Sequence, residues 1–251
     1  MTKTFVIDYL PESAPRYVSD YAIVAIDVIR ATTMAVTAMA LGHKCYSVTS
    51  VEEAHALASV LENPILAGEQ RGKMPESFHM NNSPAELLQR GETERPLILL
   101  SSSGTQILQT ASSCSHAYVA CLRNCHAVSR YMAERHPRVA LIGAGSRGEF
   151  REEDQLCCAW MGRYFMDAGY RPENARTADI VEQWREEPVA ACAIGASGAY
   201  LQRSGQLDDL DFVLSHVNDL SAVFMLYGRE LVAARRAPQS FPEKRLATVA
   251  N

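Results

Sequence analysis

The sequence predicts an α/β protein: three layers, α/β/α, with helices on both faces of a largely parallel or mixed central sheet. Three observations carry that expectation. Short apolar runs alternate with helix-length segments along most of the chain. The runs are continuously apolar rather than alternating, as strands covered on both faces are. Several of them end in small, polar or charged residues immediately before a helix, where α/β sheets collect ligands. With 251 residues, 47% of them apolar, the chain can bury a substantial core, and it reads as one compact unit.

Taken in order, the strand segments are Thr4–Tyr9, Tyr21–Asp27, Cys45–Val48, Ile65–Ala67, Leu97–Leu100, Ala117–Ala120 and Val139–Ile142, with later ones at Asp211–Ser215 and Ala222–Leu226. Helical spacing covers Ala31–Leu41, Val51–Leu61, Pro84–Arg90, Thr105–Ser112, Cys125–Arg135, Arg151–Ala168 and Ala175–Arg185. Ser83 caps the third of these, with Pro84 at its first position and Glu86 at its third. Val189–Ser204 reads as helix stopped by Gly205, although its start also suits a strand. Glu92–Arg95 and Gly169–Asn174 read as surface turns. Ala222–Leu226 suits either the core or a subunit edge, as in a homodimer.

The net charge of -5 and the scattered basic residues argue against a general nucleic-acid binder. No run reaches the roughly 18 apolar residues of a membrane span, and no secretory signal is visible. The seven cysteines form no Cys-x-x-Cys pair and mostly sit in apolar contexts, which suggests reduced core residues and a cytoplasmic protein. The histidines show no paired metal spacing. Cys157 and Arg163 have the spacing of a tyrosine-phosphatase loop, but the residues between them read as buried helix. A haloacid-dehalogenase phosphatase wants a second acid two residues after the first, and Ile29 stands there.

Function points to the strand exits. Asp27 ends an apolar run, followed by Arg30, Thr32 and Thr33. An acid there can hold a metal or act on a substrate, while the cation and hydroxyls suit an anion. A carboxylate that merely caps its own helix and pairs with Arg30 explains the segment about as well. Ser101-Ser102-Ser103-Gly104-Thr105 offers hydroxyls and backbone N–H groups at a helix start. The loop 143–148 has Gly-x-Gly-x-x-Gly spacing, but it follows a late strand and leads into Arg151, Glu152, Glu153 and Asp154, which suits a polar site better than a pyrophosphate cradle. Glu69 follows another strand and can join Asp27 or Asp154 around Mg²⁺, with Arg71 and Lys73 free for a second anionic group; a solvated charged turn is the plainer alternative.

Together these segments resemble the 2-phosphosulfolactate phosphatase family, Mg²⁺-dependent enzymes linked to coenzyme M biosynthesis. The resemblance rests on Asp27-Val28-Ile29-Arg30-Ala31-Thr32-Thr33, Gly68-Glu69, Asn82-Ser83-Pro84, Gly104-Thr105 and the stretch from Gly145 to Asp154, with a weaker echo at Ser197–Gly205 followed by Asp208 or Asp209. Departures lie at 103, where the family's amide is Ser103, at 81, where its glycine is Asn81, and at 143, where its cysteine is Gly143. The resemblance implies hydrolysis of a phosphate monoester on a small anionic organic acid. It implies Asp27, Arg30 and Asp154 as catalytic residues, with Asp27, Glu69, Glu153 and Asp154 as metal candidates. Thr32, Thr33, Arg71, Asn82, Ser102, Ser103, Gly104, Thr105, Arg147 and Gly148 become candidates for holding substrate. Two alternatives stay open: a same-fold phosphatase for another phosphorylated carboxylate, and a non-catalytic anion-binding protein.

Overall fold

The computed structural model describes residues 2–145 and 148–234. Its strands are β1 (Thr4–Asp8), β2 (Ala22–Ile26), β3 (Cys45–Val48), β4 (Ile65–Gly68), β5 (Leu97–Leu100), β6 (Ala117–Ala120), β7 (Arg138–Gly143), β8 (Arg171–Pro172), β9 (Phe224–Tyr227) and β10 (Glu230–Ala233). The helices are α1 (Ala31–Ala40), α2 (Val51–Ala58), α3 (Pro84–Arg90), α4 (Gly104–Ala111), α5 (Cys125–Arg135), α6 (Glu152–Asp167), α7 (Ala175–Trp184), α8 (Ala196–Arg203) and α9 (Leu207–Ser215).

The strands form one sheet in the order β4-β5-β3-β10-β9-β6-β2-β7-β1-β8. The apolar runs split between its faces with period two. In β2, Ile23 and Ala25 join a core with α1 and α4, while Ala22, Val24 and Ile26 face α5 and α6. In β5, Leu97 and Leu99 join the α1 core, while Ile98 and Leu100 pack with Ala54 of α2. The architecture is the three-layer α/β/α arrangement expected, with a mixed sheet.

One detail corrects the simplest expectation, that parallel strands deliver their exits to a common sheet edge. The β4, β5 and β3 pairings are parallel, as are those of β6, β2, β7, β1 and β8. The hairpin β9–β10 lies between the two blocks and pairs antiparallel with both, so the blocks run in opposite senses along the sheet. Five pairing steps separate β5 from β2. At roughly 20–25° of twist per step, about 100–125° accumulates, which swings the β5 exit round toward the β2 exit. Helix α1 lies inside this curl, buried from Ala31 through Ala38. Its threonines are tolerated there because each hydroxyl donates to a backbone carbonyl: Thr32 to Asp27, Thr33 to Val28 and Thr37 to Thr33.

Asp211–Ser215 is not a strand but the second half of α9, in which Leu210 and Val213 are buried one turn apart. Val189–Ser204 divides into a 3₁₀ turn at Val189–Ala193 and α8, ended by Gly205 at φ +73°. Ala222–Leu226 overlaps β9, which is interior to the sheet, with β10 on one side and β6 on the other. All seven cysteines are buried, and none is joined in a disulfide. No described helix is long and apolar enough to cross a membrane.

Candidate active site

The exit of β2 is built by its own backbone. Thr32 N–H and Oγ1 both donate to Asp27 O, at 3.0 and 2.8 Å, and the Asp27 N–H donates back to Thr32 Oγ1 at 2.9 Å. Thr33 Oγ1 donates to Val28 O at 2.7 Å. The two threonine hydroxyls therefore shape the loop that presents Asp27 and Arg30, and both side chains are buried there.

Asp154, in the first turn of α6, reaches the same loop: its Oδ1 accepts the Val28 N–H at 2.8 Å. The exit of β5 arrives through Gly104. A Cβ built on Gly104 would collide with Asp27 Oδ2 and with the Ala31 Cβ, so only glycine lets α4 begin against the Asp27 carboxylate. Thr105 is fully buried, its Oγ1 donating to Ser101 O at 2.5 Å and accepting the Ser101 N–H at 3.2 Å. Strands β2, β5 and β7 thus deliver Asp27, Gly104 and Asp154 to one place.

Glu69 joins the β4 exit to the β5 exit. Its Oε1 accepts from Ser101 Oγ (3.1 Å) and Ser102 N (2.6 Å), its Oε2 from Ser102 Oγ (2.9 Å) and Gly72 N (2.6 Å). Arg71 adds its backbone N–H to Ser102 Oγ at 2.6 Å and is exposed. Ser103 stands at the N-cap of α4 without a side-chain capping bond. Asn82 is buried, its Oδ1 lacking a hydrogen-bond partner among the described residues. Gly148 is exposed with open space around it. Arg147 lies outside the described residues.

The electrostatics single out three acids. Burial pushes the Asp27 carboxyl up to about 7, and the Glu69 charge adds to the rise against the Ala31 backbone N–H, Arg30 and Arg151. Burial also raises Glu153 to about 7, with the Ser197 hydroxyl opposing and the Asp27 and Glu152 charges adding. Asp154 is raised well above the carboxylate range by burial and by the charges of Asp27 and Glu153. Glu153 Oε2 is buried without a hydrogen-bond partner among the described residues. Three buried carboxylates that repel one another require protons or a cation.

No three His, Cys, Asp or Glu side chains among the described residues stand together as a ready-made metal-ligand set. The donor chemistry still suits Mg²⁺, a hard cation that takes one or two carboxylates and fills its remaining positions with water and substrate oxygens. The two better-formed hollows, about 240 Å³ beside Trp160 and about 360 Å³ beside Trp184, contain neither Asp27 nor Asp154.

Two neighbours that the sequence offered only within a charged run or a weak echo, with no role assigned, take a place here. Arg151, at the start of α6, acts on Asp27 and lies 3.9 Å from the exposed Glu149 carboxylate. Its place in the charged run after β7 was the available signal. Asp209 in α9 forms a buried ion pair with Arg30, and only the Asp208–Asp209 echo hinted at it.

Comparison with known proteins identifies a family. A family model described as 2-phosphosulpholactate phosphatase matches residues 8–228. A probable 2-phosphosulfolactate phosphatase of Symbiobacterium thermophilum is 31% identical over 199 residues, 75% of this chain and 84% of the relative. Proteins with the same description from Thermus thermophilus and Deinococcus radiodurans are 32% and 30% identical, each over 82% of this chain and over 88% and 86% of their own lengths.

Proposed function

The chain belongs to the 2-phosphosulpholactate phosphatase family, and from that premise we propose that it hydrolyses 2-phosphosulfolactate to sulfolactate and phosphate with Mg²⁺, at the site around Asp27. Membership makes it a hydrolase acting on a small phosphorylated anion. The observation that carries the finer reading is the meeting of Asp27, Glu153 and Asp154, buried and mutually repelling, with the uncapped starts of α1, α4 and α6.

Asp27 and Asp154 would hold the cation, with Glu153 beside them. Bound there, Mg²⁺ would neutralise charge on the phosphate and lower the pKa of a water. Each remaining role belongs to the chain. The backbone N–H groups at the start of α4, with Ser103, meet phosphate oxygens, while Ser102 spends its N–H and hydroxyl on Glu69. Arg30 donates to the transferred group, where positioning and charge neutralisation supply most of the catalysis. Arg151, Arg71 and Arg147 meet the substrate's other acidic groups, and Asn82 supplies an unspent acceptor. Glu153, raised to about 7, can hold or release a proton near neutral pH. Glu69 has both oxygens occupied twice, so we assign it to bracing two loops rather than to the metal.

A second reading, the same reaction on a different phosphorylated carboxylate, is favoured by the departures at Asn81, Ser103 and Gly143, which flank the site. Phosphate release from 2-phosphosulfolactate, phospholactate and phosphoglycerate, with Mg²⁺ and with chelator, tests both. A kcat/KM highest on phosphosulfolactate and lost with chelator supports the proposal. Preference for a carboxylate ester moves the assignment to the second reading, and no turnover of any ester sinks both.

A further inference from the structure

Arg30 is almost completely buried, and its guanidinium Nη1 donates to Oδ2 of Asp209, itself only 3% exposed. Asp209 belongs to α9, far along the chain from the β2 exit. Its other oxygen is committed to the start of α3: Oδ1 accepts from Ser83 Oγ at 2.7 Å and from the Ala85 N–H at 3.1 Å. One carboxylate therefore ties the cation at the start of α1 to two further helices.

A guanidinium carries five N–H donors in a rigid fork. Fixing one nitrogen fixes the direction of the rest. The same carboxylate subtracts from the attraction that Arg30 exerts on an approaching anion. Attraction is thus not what Asp209 adds; direction is. We propose that Asp209 is a positioning residue for the phosphatase reaction, holding Arg30 so that its remaining donors meet the phosphoryl group as it transfers. This rests on the function proposed above.

The two effects have opposite signs, and that makes the inference testable. Asp209→Asn keeps the side chain's size and an acceptor for Ser83 and Ala85 while removing the charge. Fixed direction matters most in the transition state, so kcat on a phosphate monoester should fall at least tenfold. Inorganic phosphate, titrated calorimetrically, should bind as tightly as to the parent or more tightly, because the Arg30 charge is no longer offset. An unchanged kcat overturns the inference. So does a parallel loss of kcat and phosphate binding, which would make the pair mere support for the pocket.

If Asp209→Asn does not fold, Asp209→Glu retains the charge and displaces it by one methylene, so kcat should fall at least tenfold while phosphate binding stays at the parent's level, and an unchanged kcat or a parallel loss of both overturns the inference. A parent protein that hydrolyses no phosphate monoester removes the function and this inference together. An active parent with a fully active variant removes only the inference.

Discussion

Buried acids in this molecule live under two regimes. Asp209 has every oxygen answered: a guanidinium on one side, a hydroxyl and a backbone N–H on the other. Asp27, Glu153 and Asp154, also buried, face each other, and their carboxyls are pushed up in consequence. The first arrangement is complete as it stands and holds Arg30 in one direction. The second is satisfied only by something added, a proton or a cation, which is how a site announces itself in a fold.

The contrast is broken most severely at Asp27. Asp27→Asn keeps the shape and removes the charge, so turnover should fall on the order of 10³-fold or more. Thermal stability should hold or rise, since the amide mimics the protonated acid. A variant that retains a tenth of parental kcat would show that Asp27 is not part of the reacting centre. Gly104→Ala comes next. Its methyl would collide with the Asp27 carboxylate and Ala31. Displacing reacting groups by about 1 Å can cost on the order of 10²-fold, and overpacking adds roughly 1–3 kcal/mol of destabilisation. Normal activity in this variant would mean that α4 does not begin against the catalytic acid.

Much of this was legible in sequence, for identifiable reasons. Strands such as Cys45–Val48 and Leu97–Leu100 are short, continuously apolar and bounded by breakers, and they fall where expected. Asp211–Ser215 has the same local look but belongs to α9, because one apolar run of that length fits either period. The hairpin strand β10 was not anticipated, although Gly228 at φ +61° marks its turn. Its position between the two parallel blocks, and the twist that brings their exits together, are properties of long-range pairing that no local pattern encodes. Within the site, acids and glycines were legible by their place at strand exits. Hydroxyl roles were not: Thr32, Thr33 and Thr105 turn toward their own loops, and a hydroxyl looks the same in sequence whether it faces a backbone carbonyl or a ligand.

The repelling acids carry a pH signature. A carboxyl raised in the folded state binds its proton more tightly there than in the unfolded chain. Its contribution is therefore most favourable at low pH and is lost as pH climbs from the ordinary range near 4.5 through about 7. Glu153→Gln imitates the protonated form at every pH. Without metal its stability should match the parent's near pH 4 and exceed it at pH 8 by at most roughly 3 kcal/mol, read as a higher melting temperature. Mg²⁺ at pH 8 should narrow the gap by stabilising the parent more. A gap that is independent of pH would show that Glu153 is not held above its ordinary range.

The smallest effect sharpens the comparison from the braced side. Glu69 resembles Asp209 in having its oxygens answered, here by donors from the β4 and β5 exits. Glu69→Gln places an amide N–H₂ against backbone N–H and hydroxyl groups that need acceptors, so at least one bond is lost at about 0.5–1.5 kcal/mol. The loop that carries Ser102 to the start of α4 should loosen, lowering kcat/KM by roughly tenfold, the scale of about 1.4 kcal/mol. The Mg²⁺ concentration for half-maximal activity should stay unchanged, because a brace is not a ligand. A tenfold or larger rise in that concentration would return Glu69 to the set of acids that only a cation completes.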